Sequence, residues 1–151
     1  MSPSLETNNV EANHLTQDVQ NEEEDGILFG LNLVSSIMLP MTVRSAIELG
    51  IFDILAKAGE NAKLSADDIA VEIKSKNQEA PVMLDRLMRL LASHSMLHCS
   101  VSEDQQGLES PQRLYSLAPA SKYFVADADG VSFGPTLNLQ LDKVFLGSWL
   151  V

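Results

Sequence analysis

The chain has 151 residues, a single cysteine and a formal net charge of −11. That length fits one domain able to bury roughly two thirds of its unfolded surface. Lone Cys99 excludes an internal disulfide and fits a reducing compartment, and the acidic balance argues against nucleic-acid binding.

The charge is unevenly spread. Residues 1–25 hold seven acids and no Lys or Arg, whereas the remainder carries fourteen acids against ten bases. With no aromatic residue in it, this stretch predicts a disordered acidic tail over 1–26, its run Glu22, Glu23, Glu24 and Asp25 lying in solvent. It lacks the charged-then-apolar order of a signal peptide, so a cytoplasmic location is expected.

Residues 27–41, ILFGLNLVSSIMLPM, carry apolar side chains at Ile27, Leu28, Phe29, Leu31, Leu33, Val34, Ile37, Met38, Leu39 and Met41. Wound at 3.6 residues per turn, these cover nearly the whole circumference of a helix. A surface helix needs one apolar stripe; one that is apolar all round is buried on several sides. A chain this short can hardly surround its own first helix, so a second chain or domain is implied. Residues 26–43 contain no charge, which raises a transmembrane reading. Asn32, Ser35, Ser36, Pro40 and Thr42 are poor company for hydrocarbon, and no membrane partner is expected.

A break is predicted near Pro40, followed by a second helix from Met41 to the stop at Gly59. Val43, Ile47, Ile51, Ile54, Leu55 and Ala58 form its stripe, and Arg44–Glu48 an i, i+4 pair on the wetter side. Ser65 and Asp68 predict a capping box opening a third, short helix. Pro81 sits where a first-turn proline belongs. The fourth helix, residues 81–97, places Leu84, Leu87, Met88 and Leu91 on one face. Thereafter the period falls to two: CSVSE (99–103) and RLYSL (113–117) predict a hairpin. A short helix over 119–124, a turn at 126–130 and a last amphipathic helix from about Leu137 complete the chain, which ends inside that helix without a cap. The fold expected is mainly α: a winged-helix-like domain with a short β-hairpin and flanking helices. Its divisions are the tail at 1–26, the domain at 27–130, and a helical linker at 131–151.

Several patterns that hint at chemistry have plainer readings. His94, His98 and Cys99 fall where helix gives way to strand, with no second ligand pair, so no metal site is predicted. Asp127-Ala-Asp129-Gly130 resembles part of a calcium loop, but Val125 and Thr136 stand where an EF-hand needs acids; a turn is the reading. As a DNA reader the winged helix offers Arg86 and Arg89 against Asp85, with Glu103, Asp104 and Glu109 around Arg113. It lacks the basic face that phosphate contact requires, and no nucleic-acid partner is expected.

LFGLNLVSSIMLPM, RSAIELGIFDILAKAG, APVMLDRLMRLLASHSML, RLYSLAPASKYF and DKVFLGSW occur in this order, and together they resemble the N-terminal half of plant caffeic-acid-type O-methyltransferases. The resemblance implies a dimerisation domain whose first helices interlock in a homodimer, placing Ile27, Leu28, Leu31, Val34, Ile37 and Met38 at the interface. It also implies that Ser35 reaches the partner's substrate pocket. Leu139 and Gln140 stand where caffeic-acid-type members have a Met-Asn pair lining the phenolic, phenylpropanoid-type pocket, and Phe145 lies nearby. Full-length members move a methyl group from S-adenosylmethionine to a phenolic hydroxyl. This chain has eight glycines and no G-x-G, so no catalytic or cofactor-binding residue is assigned to it and the chain alone is expected to be inactive. Its expected partner is itself or a full-length O-methyltransferase. The second case describes a free-standing interaction protein that heterodimerises with relatives.

Overall fold

The computed structural model describes residues 21–102 and 111–149. The tail up to residue 20, and Glu103, Asp104 and Glu109 of the hairpin connection, lie outside them. The chain forms two units that part between Ile37 and Met38.

The first unit contains helix α1, residues 21–35, closed by a turn at 36–37. Residues 21–26, which composition assigned to the tail, are helical. The break expected near Pro40 comes earlier, where Ser36 donates through both its amide and its hydroxyl to the Leu33 carbonyl (3.3 and 2.7 Å). A side chain offering the backbone such a local bond competes with helix propagation.

The second unit begins with α2, Met38–Glu48, and α3, Ile51–Ala58. Pro40 lies in the first turn of α2, where its missing amide leaves no intrahelical bond unmade. A single helix was expected here. The chain instead turns at Gly50, which adopts φ 71°, a left-handed conformation that costs a side-chain-bearing residue dearly. Its carbonyl accepts the Ile54 amide at 2.9 Å and starts α3. The apolar stripe crosses the turn because both helices face one core: Val43 and Ala46 from α2, Ile51, Phe52 and Leu55 from α3.

Helix α4, Ala66–Glu72, carries the expected capping box: Ser65 Oγ accepts the Asp68 amide, and Asp68 Oδ2 accepts the Ser65 amide (3.2 and 2.9 Å). Helix α5, Ala80–Ser93, has Pro81 in its first turn and buries Leu84, Met88 and Leu91. Strands β1, Leu97–Val101, and β2, Arg113–Leu117, pair antiparallel with Cys99 opposite Tyr115. β1 thus starts two residues before the expected strand, because buried Leu97 pairs with Leu117. Leu64 adds a one-residue rung on the other side of β2, exchanging two backbone bonds with Tyr115 (2.9 and 2.8 Å). Phe52, Ile69, Met88, Leu91 and Tyr115 fill the centre of the core.

A 3-10 turn, Ser121–Phe124, follows the hairpin. Buried Ser121 closes it by exchanging bonds with the Ala118 backbone (2.9 and 3.1 Å). The last helix, expected as one from Leu137, is two: α6, Gly134–Gln140, and α7, Lys143–Gly147. Asp142 separates them, accepting the Val144 amide at 2.8 Å as a helix cap. The mainly α architecture with one two-stranded antiparallel sheet agrees with expectation.

Candidate interface and pocket wall

Every residue from 21 to 38 is exposed. That includes all six expected interface residues, Ile27, Leu28, Leu31, Val34, Ile37 and Met38, with Val34 80% exposed. The first five lie in the first unit, and Met38 opens α2. Contiguous apolar exposure of this kind marks a surface that contacts another protein or a membrane. Taken across the turn, Asn21–Glu48 is also long and apolar enough to cross a membrane by length and composition.

The residues assigned to a pocket wall divide between the units. Ser35 is the last residue of α1 and is exposed. Leu139 (62% exposed) and Gln140 stand together on the last turn of α6. Gln140 borders a shallow apolar depression with Phe124, Phe133 and Leu137. Phe145 lies on α7, edge-on to Trp149 with ring centroids 6.3 Å apart.

What holds α6 and α7 at this end of the unit is partly apolar and partly ionic. Gly134 packs against Ile47 of α2, and the Leu141 side chain is buried. Arg44 of α2 donates through Nη1 to the Leu141 carbonyl at 3.0 Å while its Nε holds Glu48 at 2.8 Å. Sequence reasoning found the Arg44–Glu48 pair and missed the carbonyl. A contact spanning 97 positions leaves no local signature.

A second polar cluster knits α5 to β2. The Tyr115 hydroxyl donates to Asp85 Oδ1 at 2.7 Å, while Arg89 and Arg113 each lie 3.2 Å from Oδ2. Burial, reinforced by the bond to Asp85, holds the Tyr115 phenol well above the usual tyrosine value of 10.0. Two of the three cations weighed for DNA contact are therefore engaged with one carboxylate. Asp127, considered for calcium, spends Oδ1 on the amides of Asp129 and Val131 (3.0 and 2.8 Å), as a turn requires. Among the described residues no three metal-ligating side chains come together. His94 follows α5, while His98 and exposed Cys99 occupy neighbouring positions of β1.

The chain thus combines an exposed apolar helix in one unit with a small helical body and one hairpin in the other. Residues 31–127 match the sequence profile of the O-methyltransferase dimerisation domain, and the chain belongs to that family. It is 44% identical over 133 residues to a caffeic acid 3-O-methyltransferase of Capsicum annuum, covering 88% of this chain and 36% of that protein. It is 47% identical over 133 residues to an anthranilate N-methyltransferase of Ruta graveolens, covering 88% and 35%. Among solved structures, human N-acetylserotonin methyltransferase in complex with SAM matches with a TM-score of 0.60 over 80% of this chain and 31% of that one. At 16% identity this is a likeness of fold. The chain spans about a third of the length of these relatives, and the part it matches is N-terminal.

Proposed function

We propose that this domain pairs two copies of a plant methyltransferase, α1 of one copy interlocking with α1 of the other in a cytoplasmic homodimer. The unbroken exposure of residues 21–38 carries this reading. Full burial of a large apolar side chain is worth about 1.5–3 kcal/mol, and in a pair of chains the six interface residues count twice. Even at half burial their sum is comparable to the roughly 4–15 kcal/mol that association costs. The three helices α3, α4 and α5 with the hairpin and the Leu64 rung read as a winged helix that serves association rather than DNA reading.

The whole enzyme this domain serves transfers a methyl group from S-adenosylmethionine to an aromatic acceptor, a phenolic hydroxyl of phenylpropanoid type. The near-equal identity to an O- and an N-methyltransferase supports a reading in which the acceptor atom is chosen largely outside this domain. The domain contributes one wall of the pocket: Ser35 reaching into the partner's site, and Leu139 and Gln140 facing the ring. Heterodimerisation with a full-length relative would use the same α1 surface.

The test is light scattering of the 151-residue chain at micromolar concentration, with and without lipid vesicles. A dimer that ignores vesicles supports the reading. A well-folded monomer overturns it, and recovery with the vesicles would reassign residues 21–48 to a membrane.

A further inference from the structure

Leu139 and Gln140 are exposed at the last turn of a seven-residue helix. Their position depends on the corner that follows. At that corner the Leu141 side chain is buried, and its carbonyl, left without an intrahelical partner by the end of α6, accepts from Arg44 Nη1 at 3.0 Å. A cation at a helix C-terminus satisfies an orphan carbonyl and complements the partial negative charge there. Arg44 is itself oriented: Glu48, one turn along α2, holds its Nε at 2.8 Å, and its side chain is only 32% exposed. On the other side of Leu141, Asp142 caps α7. Without the guanidinium, the corner would rest on the packing of Leu137, Leu141 and Gly134 and on a two-residue link between short helices.

We propose that Arg44 is a positioning residue. Through the Leu141 carbonyl it locks the α6–α7 corner and so fixes the outward direction of Leu139 and Gln140. The proposal rests on the reading of that pair as a pocket wall. A guanidinium suits the task because its fork donates to two acceptors at once, a carboxylate on its own helix and a carbonyl 97 residues away.

Amide hydrogen exchange on the 151-residue chain tests it, comparing wild type with Arg44→Met, which keeps the aliphatic stem, and Arg44→Lys, which keeps the charge. In Arg44→Met the amides of Leu141, Asp142 and Val144 should exchange about tenfold faster, the scale of one lost charge-assisted bond in a local opening. Amides of Leu84, Met88 and Leu91 should keep their wild-type rates. Arg44→Lys should recover part of the protection, since its ammonium can reach the carbonyl but cannot serve both acceptors in the fork geometry. Unchanged exchange at the corner overturns the proposal, and so does an increase shared equally with α5, which would mean general destabilisation. The pocket-wall reading is judged separately, by exchanging Leu139 and Gln140 with Arg44 left intact, so either can fail alone.

Discussion

Tyr115 and Asp85 are 30 positions apart, on β2 and α5, and their side chains meet in a 2.7 Å hydrogen bond at the edge of the core. Tyr115 is wholly buried, and its backbone also bridges to Leu64 on one side and pairs with Cys99 on the other. One residue therefore joins the hairpin, the segment before α4, and the central helix. The hydroxyl supplies its polar link, and the ring supplies core volume.

Replacing Tyr115 by Phe should keep the ring and remove the link. Asp85 retains Arg89 and Arg113, so the cost should be moderate, about 1–2 kcal/mol in urea unfolding near neutral pH. The pH dependence follows from the raised phenol. Folding favours the neutral form, so this contribution is fully present below the usual value of 10.0 and is lost as pH rises beyond it. Wild type should lose stability more steeply than Tyr115→Phe above about pH 10, and the two curves should converge. Parallel curves would show that the phenol does not titrate with unfolding.

The association surface makes a sharper prediction. Leu31 and Val34 lie one turn apart on α1, both exposed. Replacing both by Asp leaves the second unit's core untouched but would bury two unpaired carboxylates in any interlocked seam, a penalty of several kcal/mol each. Light scattering should then report a monomer, with the circular dichroism of the remaining helices retained. A variant that stays dimeric would place the seam elsewhere.

Gly50 tests the split of α2 from α3. At φ 71°, with nothing within 4 Å of where a Cβ would stand, Gly50→Ala meets backbone strain and no clash. The expected loss is about 1–2 kcal/mol, read as a lower midpoint in urea with an unchanged slope. No loss would mean that the two helices merge into the single one the apolar stripe suggested.

That stripe shows where sequence reasoning succeeds and where it stops. The capping box at Ser65 and Asp68, and Pro81 opening α5, were legible because a cap is a local pattern with its own hydrogen bonds. The turn at Gly50 was hidden because Ile47, Ile51 and Leu55 keep helical spacing through it. The Leu64 rung pairs a single residue, too few for a period to appear. The exposed α1 was legible because all-round apolarity has no solution within a small chain. The proposed pocket wall was not: Ser35, Leu139 and Gln140 carry no distinctive chemistry, and only resemblance singled them out. Arg44's hold on Leu141 depends on tertiary packing and could not have been read from either segment alone.

The last prediction concerns the pocket wall itself, and it calls for this domain joined to the catalytic part of a methyltransferase relative. Leu139 and Gln140 are exposed on α6, so substitutions there should change stability by no more than about 0.5 kcal/mol. Leucine matches methionine in bulk but adapts less in shape. Glutamine keeps the amide's donors and acceptor of asparagine while moving them one methylene outward. An aromatic ring should therefore still be accepted, with a changed preference for where its oxygens stand. Leu139→Met with Gln140→Asn should shift the ratios of kcat/KM across a panel of phenols differing in ring oxygenation by about tenfold, the scale of one misplaced methylene. If Arg44 holds the corner, Arg44→Met should blur the same ratios without reversing them, because a loosened wall discriminates less in every direction. Ratios that stay fixed through the Leu139 and Gln140 exchange would reduce the pair to surface packing and leave the domain with association alone.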